Sequence, residues 1–449
     1  MLPENELDTG VADLQARPWP RRALALALLL VLLCGIAAAP LAALIIARRQ
    51  RELAAPTQAA VEASGQIALI TPDFQLETLA PPDGALRQLS PAPGRYLFPA
   101  WSADGSQLAV MTTSEVWLLA PDEQPAAEPR RVYSNPDDPP IYLYWSPDGR
   151  LSFITNHARG IAFHLSDGSG SQALAYGQPF YWDFLPDGSE ALLHTGFSGD
   201  GAHLALLNLA AAEVGADIAA PGHFQAPGVS PSGNYWAYAQ LGAGGDSSLV
   251  VRDLNGADVW NQAHLGQVAL SWSPAEDLLA FISPPVSSTA FYGPLRLVDP
   301  AGDETRVLSD AIVLAFFWSP DGERIAFFTL ARPPAGGIQA LKNGLRARAG
   351  RPVQTPRDEL ELSLYLVEIA NGEVSLAHTF RPGRLFLTQF LPFFDQYGLS
   401  HSIWSPSGDQ LVISAQPPGE DVARLWLVSS DGRPAAPLVE GQIGIWSPR

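Results

Sequence analysis

The residue types best suited to metal binding or proton transfer are thinly spread in this chain. Its eight histidines are His157, His164, His194, His203, His223, His264, His378 and His401. None stands in a His-x-x-x-His or Glu-x-x-His pair, the spacings that put two ligands on one helical face. His194 and His203 flank the loop Thr195–Gly201, but a metal there needs a third ligand that the neighbouring sequence does not offer. Asp104, Asp148, Asp187 and Asp321 recur at one position of a repeated segment. Recurrent carboxylates can line a ring, yet in a turn an aspartate ordinarily caps its own backbone two residues on. There is no Gly-x-Ser-x-Gly nucleophile elbow, and Gly242–Gly245 joins two strand-like runs without a following helix, so it reads as a hairpin loop and not a phosphate cradle. No catalytic residue, metal ligand or cofactor site is expected on these grounds.

The elements that would position any site are announced by a repeat. A short apolar run ends in Trp101-Ser-Ala-Asp-Gly105, Trp145-Ser-Pro-Asp-Gly149, Trp272-Ser-Pro-Ala-Glu276, Trp318-Ser-Pro-Asp-Gly322, Trp404-Ser-Pro-Ser-Gly408 and Trp446-Ser-Pro448. Two copies replace the indole, Phe184-Leu-Pro-Asp-Gly188 and Val229-Ser-Pro-Ser-Gly233. The anchors step by 44, 39, 45, 43, 46, 86 and 42 residues, and 86 is one period with an insertion. A period of about 40–45 residues holding four strand-like segments is the mark of a β-propeller blade. Every residue of the motif has a structural role. Tryptophan packs sheet on sheet, proline fixes φ, aspartate bonds the backbone and glycine accepts positive φ.

The two ends of the repeat region are complementary. Gln66–Ile70, Gln75–Leu79 and Leu86–Leu89 form three strands with no anchor strand before them, and Gly444–Trp446 is an anchor strand with nothing after it. The last strand is therefore expected to complete the first blade, giving an all-β propeller of eight four-stranded blades closed through residues 65–449 and leaving no exposed sheet edge at the junction.

Residues 1–64 differ in character. Their six arginines and six acids cancel, so the net charge of −19 belongs to residues 65–449, and so acidic a domain repels phosphate backbones and excludes nucleic acid as a partner. Residues 23–47 are uncharged and rich in leucine and alanine, enough for one membrane-spanning helix at roughly 20 residues per crossing. Pro40 would follow a signal-peptidase cut at Ala37–Ala39 directly, and Leu33 precedes Cys34 where a lipoprotein signal has a small residue, so an uncleaved anchor is expected. Arg17, Arg21 and Arg22 balance Arg48, Arg49 and Arg51, so flanking charge does not set the orientation. A short leading tail and a large trailing domain suggest residues 1–22 in the cytoplasm and the propeller outside it, at the cell membrane. Residues 48–64 read as a tether with a reach of roughly 20–25 Å. The lone Cys34 allows no intrachain disulfide.

The motif, with strands such as Glu323-Arg-Ile-Ala-Phe-Phe328 after it, resembles the WD40-like repeats of the TolB-type β-propeller family over nearly all of residues 65–449. That resemblance implies the propeller fold. It does not fix a function, since such repeats occur in periplasmic and surface binding proteins and as gating domains beside serine peptidases. The blades lack the Gly-His and Trp-Asp dipeptides of true WD40 repeats, and the expected blade count exceeds the six usual in TolB-type proteins.

Two enlarged loops of the blade anchored at Trp318 then become the candidate binding face. Residues 330–361 hold Arg332, Lys342, Arg346, Arg348, Arg351 and Arg357, a basic island on an acidic domain. Residues 381–400 hold Phe386, Phe390, Phe393, Phe394 and Tyr397, more aromatic surface than a solvated loop needs. Both loops should emerge on one side of the disc, opposite the chain ends. The rings either present a docking surface for a protein or peptide, or fold down and plug the central channel. Two functions are consistent with this: a non-catalytic binding or scaffolding module tethered to the membrane, and an enzyme or peptidase-gating propeller whose catalytic groups converge from several blades.

Overall fold

The computed structural model describes residues 65–449 apart from 82–83, 123–127, 198–200, 224, 243–244, 286–291, 303, 332–359, 418 and 421. Residues 23–47, where the membrane helix is expected, lie outside these; among the described residues no helix is long and apolar enough to cross a membrane. The basic residues Arg346 and Arg348 also lie outside the described residues.

Eight antiparallel sheets follow one another along the chain, and we number them as blades 1 to 8. Blades 2 to 7 are each four consecutive strands, with the anchor strand innermost. Blade 1 is the composite foreseen from the sequence. The strand Ile443–Trp446 pairs with Ile67–Ile70 in the register Ile67↔Trp446 to Ile70↔Ile443, and Leu76–Leu79 and Arg87–Gln88 complete the sheet. Closure is dense as well as hydrogen-bonded. A Cβ added at Gly444 would meet the Leu425 side chain at 2.7 Å, so only glycine lets the closing strand approach blade 8 this closely. Blade 8 is leaner than expected: three strands, with the innermost place held by a single bridge between Trp404 and Leu411.

The motif turns adopt one geometry. Gly105, Gly149, Gly188, Gly233, Gly322 and Gly408 all have φ between 67° and 83°, the region open to glycine. The Ser319 amide bonds Arg324 O at 2.9 Å and the Gly322 amide bonds Ser319 O at 3.0 Å, with equivalent pairs at Ser102, Ser146 and Ser405. Anchor indoles then tie blade to blade. Trp145 Nε1 donates to Ala100 O at 2.9 Å, Trp318 Nε1 to Ser271 O at 3.1 Å, Trp404 Nε1 to Phe317 O at 3.1 Å and Trp101 Nε1 to Ile445 O at 3.4 Å. In each case the acceptor is the carbonyl one residue before the anchor of the preceding blade, so the repeat fixes the ring as well as the sheet.

Candidate functional site

The axis of the ring is the place where residues from several blades can meet, and it is filled. After the outer strand of blade 7, the chain forms a wide helical turn at Phe386–Phe390, a tight turn at Leu391–Phe393 and the α-helix Phe394–Ser400. This helix packs against the inner strands of blades 3, 6 and 7 at once, which places it in the central channel. Its rings supply the fill. Phe390 stacks on Phe317 at 5.4 Å, Phe386 lies 5.5 Å from Phe328, and Phe394 lies 4.9 Å from Phe316. Tyr397 touches Phe98 at 5.1 Å, Tyr142 at 5.3 Å and His401 at 5.0 Å.

Of the five aromatic residues singled out by sequence, Phe386, Phe390, Phe394 and Tyr397 are thus buried, while Phe393 is 39 % exposed. The docking-surface alternative is corrected for those four: a ring wholly inside the channel presents no face to a partner. The physical reason is that the anchor strands supply Phe98, Tyr142, Phe316 and Phe317 as an apolar wall around the axis, and the loop's rings gain more by covering that wall than by staying in water.

The plug is seated by polar contacts too. Tyr142 Oη donates to Gln396 O at 2.7 Å and lies 2.8 Å from Ser400 Oγ. Two carboxylates are buried around the axis. Asp183, on the inner strand of blade 4, receives the Val229 amide at 2.8 Å, the Phe184 amide at 2.9 Å and the Tyr144 hydroxyl at 3.3 Å. Burial pushes its carboxyl up to about 6 against the pull of those donors. Asp395, in the plug, is likewise pushed up to about 6 by burial, with the backbone amides of Gln396 and Ala226 opposing. Burial holds His401 neutral, down at about 3, and drives the Tyr142, Tyr144 and Tyr181 phenols well above their ordinary range. One local signal marks Asp183, an acid inside the otherwise apolar Phe-Tyr-Trp-Asp-Phe strand, and Asp395 is an acid beside two phenylalanines.

The other candidates do not converge. His194 is buried with Nδ1 3.1 Å from Gln225 O, whereas His203 is exposed and pairs with Asp217 at 3.3 Å. Thr195, not His194, is opposite His203 in the ladder, so the two imidazoles project from opposite faces of the sheet. No group of three potential ligands occurs among the described residues. The recurrent aspartates cap their turns: Asp104 accepts the Ser106 amide at 3.0 Å, Asp187 the Ser189 amide at 2.9 Å and Asp321 the Glu323 amide at 3.0 Å. The Gly242 amide bonds Asp246 O at 2.8 Å, as a hairpin loop requires.

Eight sheets closed around a stoppered axis define the class of protein: an all-β, eight-bladed β-propeller. No family description and no curated protein matches the chain. Among solved structures it is similar to TolB from Acinetobacter baumannii, at 14 % identity and TM-score 0.38, covering 86 % of this chain and 68 % of that one. It is similar to an oligogalacturonate lyase from Vibrio parahaemolyticus at 13 % identity and TM-score 0.45, covering 78 % of this chain and 87 % of the lyase. The dihydro-heme d1 dehydrogenase NirN matches at 13 % identity and TM-score 0.47, covering 88 % and 78 %. Likenesses at this level carry no argument about activity, and the class stands on the sheet topology alone.

Proposed function

We propose that this chain is a membrane-tethered, extracytoplasmic β-propeller that acts as a non-catalytic binding or scaffolding module for a protein, peptide or cell-envelope ligand. The observation that carries this reading is the occupied axis. Where catalytic groups from several blades would have to meet a substrate, the channel is filled by Phe386, Phe390, Phe394 and Tyr397, so recognition is left to the loops around its mouth. Phe393, the exposed ring of the plug, and the basic segment with Arg346 and Arg348 belong to the same two loops of blade 7. The anchor at 23–47 holds the domain at the membrane, with the N-terminus in the cytoplasm.

One observation favours the alternative, an enzyme or peptidase-gating propeller. Asp183 and Asp395 come from different elements, and both are pushed up to about 6, as acids used in proton transfer are. The two readings separate in one experiment. Residues 65–449 are immobilised against solubilised cell-envelope fractions and assayed in parallel for hydrolase and lyase turnover. Saturable capture of a ligand, weakened by Phe393→Ser and by deleting 332–359, supports the binding module. Turnover that Asp395→Asn abolishes while the fold survives overturns it.

A further inference from the structure

Where the ring closes, a cavity of about 490 Å³ lies between blade 2 and Arg449, a volume in the range of small-molecule sites. Its charged lining is two guanidiniums, Arg130 and Arg449, and two carboxylates, Asp122 and Glu128. Leu118, Leu119 and Ala120 supply its apolar part. Asp122 follows the third strand of blade 2, Glu128 and Arg130 stand at the start of its fourth, and Arg449 comes from beyond the closing strand Ile443–Trp446. Closure of the ring is therefore what brings the four together. A second cavity, of about 290 Å³ on blade 4, is lined by Glu190 and Glu213 and by no base, so the balance of charge belongs to the cavity at the closure.

The surrounding structure orients these groups without neutralising them. A Cβ added at Gly105 would meet Arg449 Cγ at 2.9 Å, so the glycine of the motif turn leaves the space in which the Arg449 side chain lies. Arg130 donates through Nη1 to Gly168 O at 3.1 Å and through Nη2 to Gln107 Oε1 at 3.0 Å. Asp122 Oδ1 accepts Gln66 Nε2 at 2.8 Å. Asp104, the acid of the motif turn, is occupied within that turn, accepting from Ser102 Oγ at 2.6 Å and from the Ser106 amide at 3.0 Å. Arg130 and Asp122 thus bond neutral partners, while Arg449 and Glu128 make no side-chain hydrogen bond or ion pair among the described residues. None of the four is bonded to an opposite charge. An exposed ion pair adds little to stability, so nothing drives them to collapse on one another, and each keeps capacity for a ligand.

We propose that this cavity binds a small zwitterion, an α-amino acid or dipeptide with an apolar side chain. Arg449 and Arg130 receive its carboxylate, Asp122 and Glu128 its ammonium, and Leu118 to Ala120 its side chain. Charge-assisted hydrogen bonds of both signs make the recognition, and a molecule with one charge leaves the opposite pair covered and unmatched. The site lies with the motif turns and the chain ends, on the other side of the disc from the loops of blade 7, and does not depend on what those loops bind.

Equilibrium dialysis of the full chain in detergent micelles against labelled L-leucine and leucyl-leucine tests this, with N-acetyl-leucine and leucinamide as singly charged controls. Saturable retention of at least one zwitterion is expected, with both controls at least about tenfold weaker. Arg449 and Glu128 are exposed, so Arg449→Gln and Glu128→Gln should each weaken retention about tenfold while the melting temperature stays within about 2 °C of the parent. No retention of either zwitterion at about 1 mM overturns the proposal. So does equal binding of the singly charged controls, or binding that both folded variants leave unchanged.

Discussion

Removing residues 441–449 should sharply destabilise the ring, and the size of the effect can be worked from the closing strand. Ile443, Ile445 and Trp446 are 2 %, 1 % and 1 % exposed, so the deletion returns three nearly buried side chains to water. At about 1.5–3 kcal/mol for each such side chain, the loss is roughly 7 kcal/mol before any backbone term. The backbone adds to it: the pairing with Ile67–Ile70 disappears, as do the Ser447 amide bond to Gln66 O and the Gln442 amide bond to Ile70 O, both 2.7 Å, and the acceptor of the Trp101 indole. An ordinary domain is stable by about 5–15 kcal/mol, so the deletion removes half or more of the total. With an unfolding entropy of about 2.1 cal/mol/K per residue over the domain, roughly 7 kcal/mol lowers the melting temperature by about 9 °C. Calorimetry of residues 65–449 against residues 65–440 measures this, with Gly444→Val as a point variant that blocks the same seam sterically. If the truncated domain melts within about 2 °C of the parent, the closing strand does not hold the ring together and the reasoning fails.

Other expectations are more local. Phe390→Ala should destabilise by about 3–5 kcal/mol because the Phe317 and Tyr397 faces it covers are left against a cavity, whereas Phe393→Ser should shift stability by less than about 1 kcal/mol; denaturant melts showing equal losses would deny the plug. Gly228→Ala should lose about 1–3 kcal/mol, because a Cβ there comes within 2.9 Å of the Trp272 ring, and a neutral result would mean that the blade 5–6 seam has slack. Stability should fall on acidification from pH 7 towards pH 4. His164 and His194 sit at about 4 and His401 at about 3 in the folded state, so the unfolded chain binds the extra protons below 6.5 and folding loses ground. Asp183 and Asp395, raised to about 6, act in the opposite sense and give back stability as pH falls from 6 towards 4, but two acids displaced by less do not cancel three histidines. A melting temperature that climbs steadily between pH 7 and pH 4 would contradict these assignments.

The blades could be read from the sequence because every residue of the repeat acts over a short, fixed span: the turn glycines take positive φ, the aspartates cap the turns, and the tryptophans reach the preceding blade over one period. Closure was readable for a related reason, since an orphan anchor strand and an anchorless blade leave only one complementary pairing. The axis was not. An aromatic loop lowers its free energy equally well on a partner or in a channel, and only the wall formed by Phe98, Tyr142, Phe316 and Phe317, drawn from three blades, decides between them. Asp183 was legible only as an acid in an apolar strand, and its role was not. Its partners Tyr144 and Val229 lie 39 and 46 residues away in the chain, so nothing local marks it as the link between blades 3, 4 and 5.

The binding-module reading stands or falls on which face of the ring meets other molecules. Benzoylphenylalanine introduced at Phe393, 39 % exposed on the plug, can be compared with the same group at Leu254, 60 % exposed in a strand 3–4 turn that shares its side of the disc with the motif turns. The full chain is kept in its own membranes and irradiated. Discrete cross-linked products are expected from position 393 and none from position 254. Cross-linking at 254 alone, or none at either position, would contradict the reading.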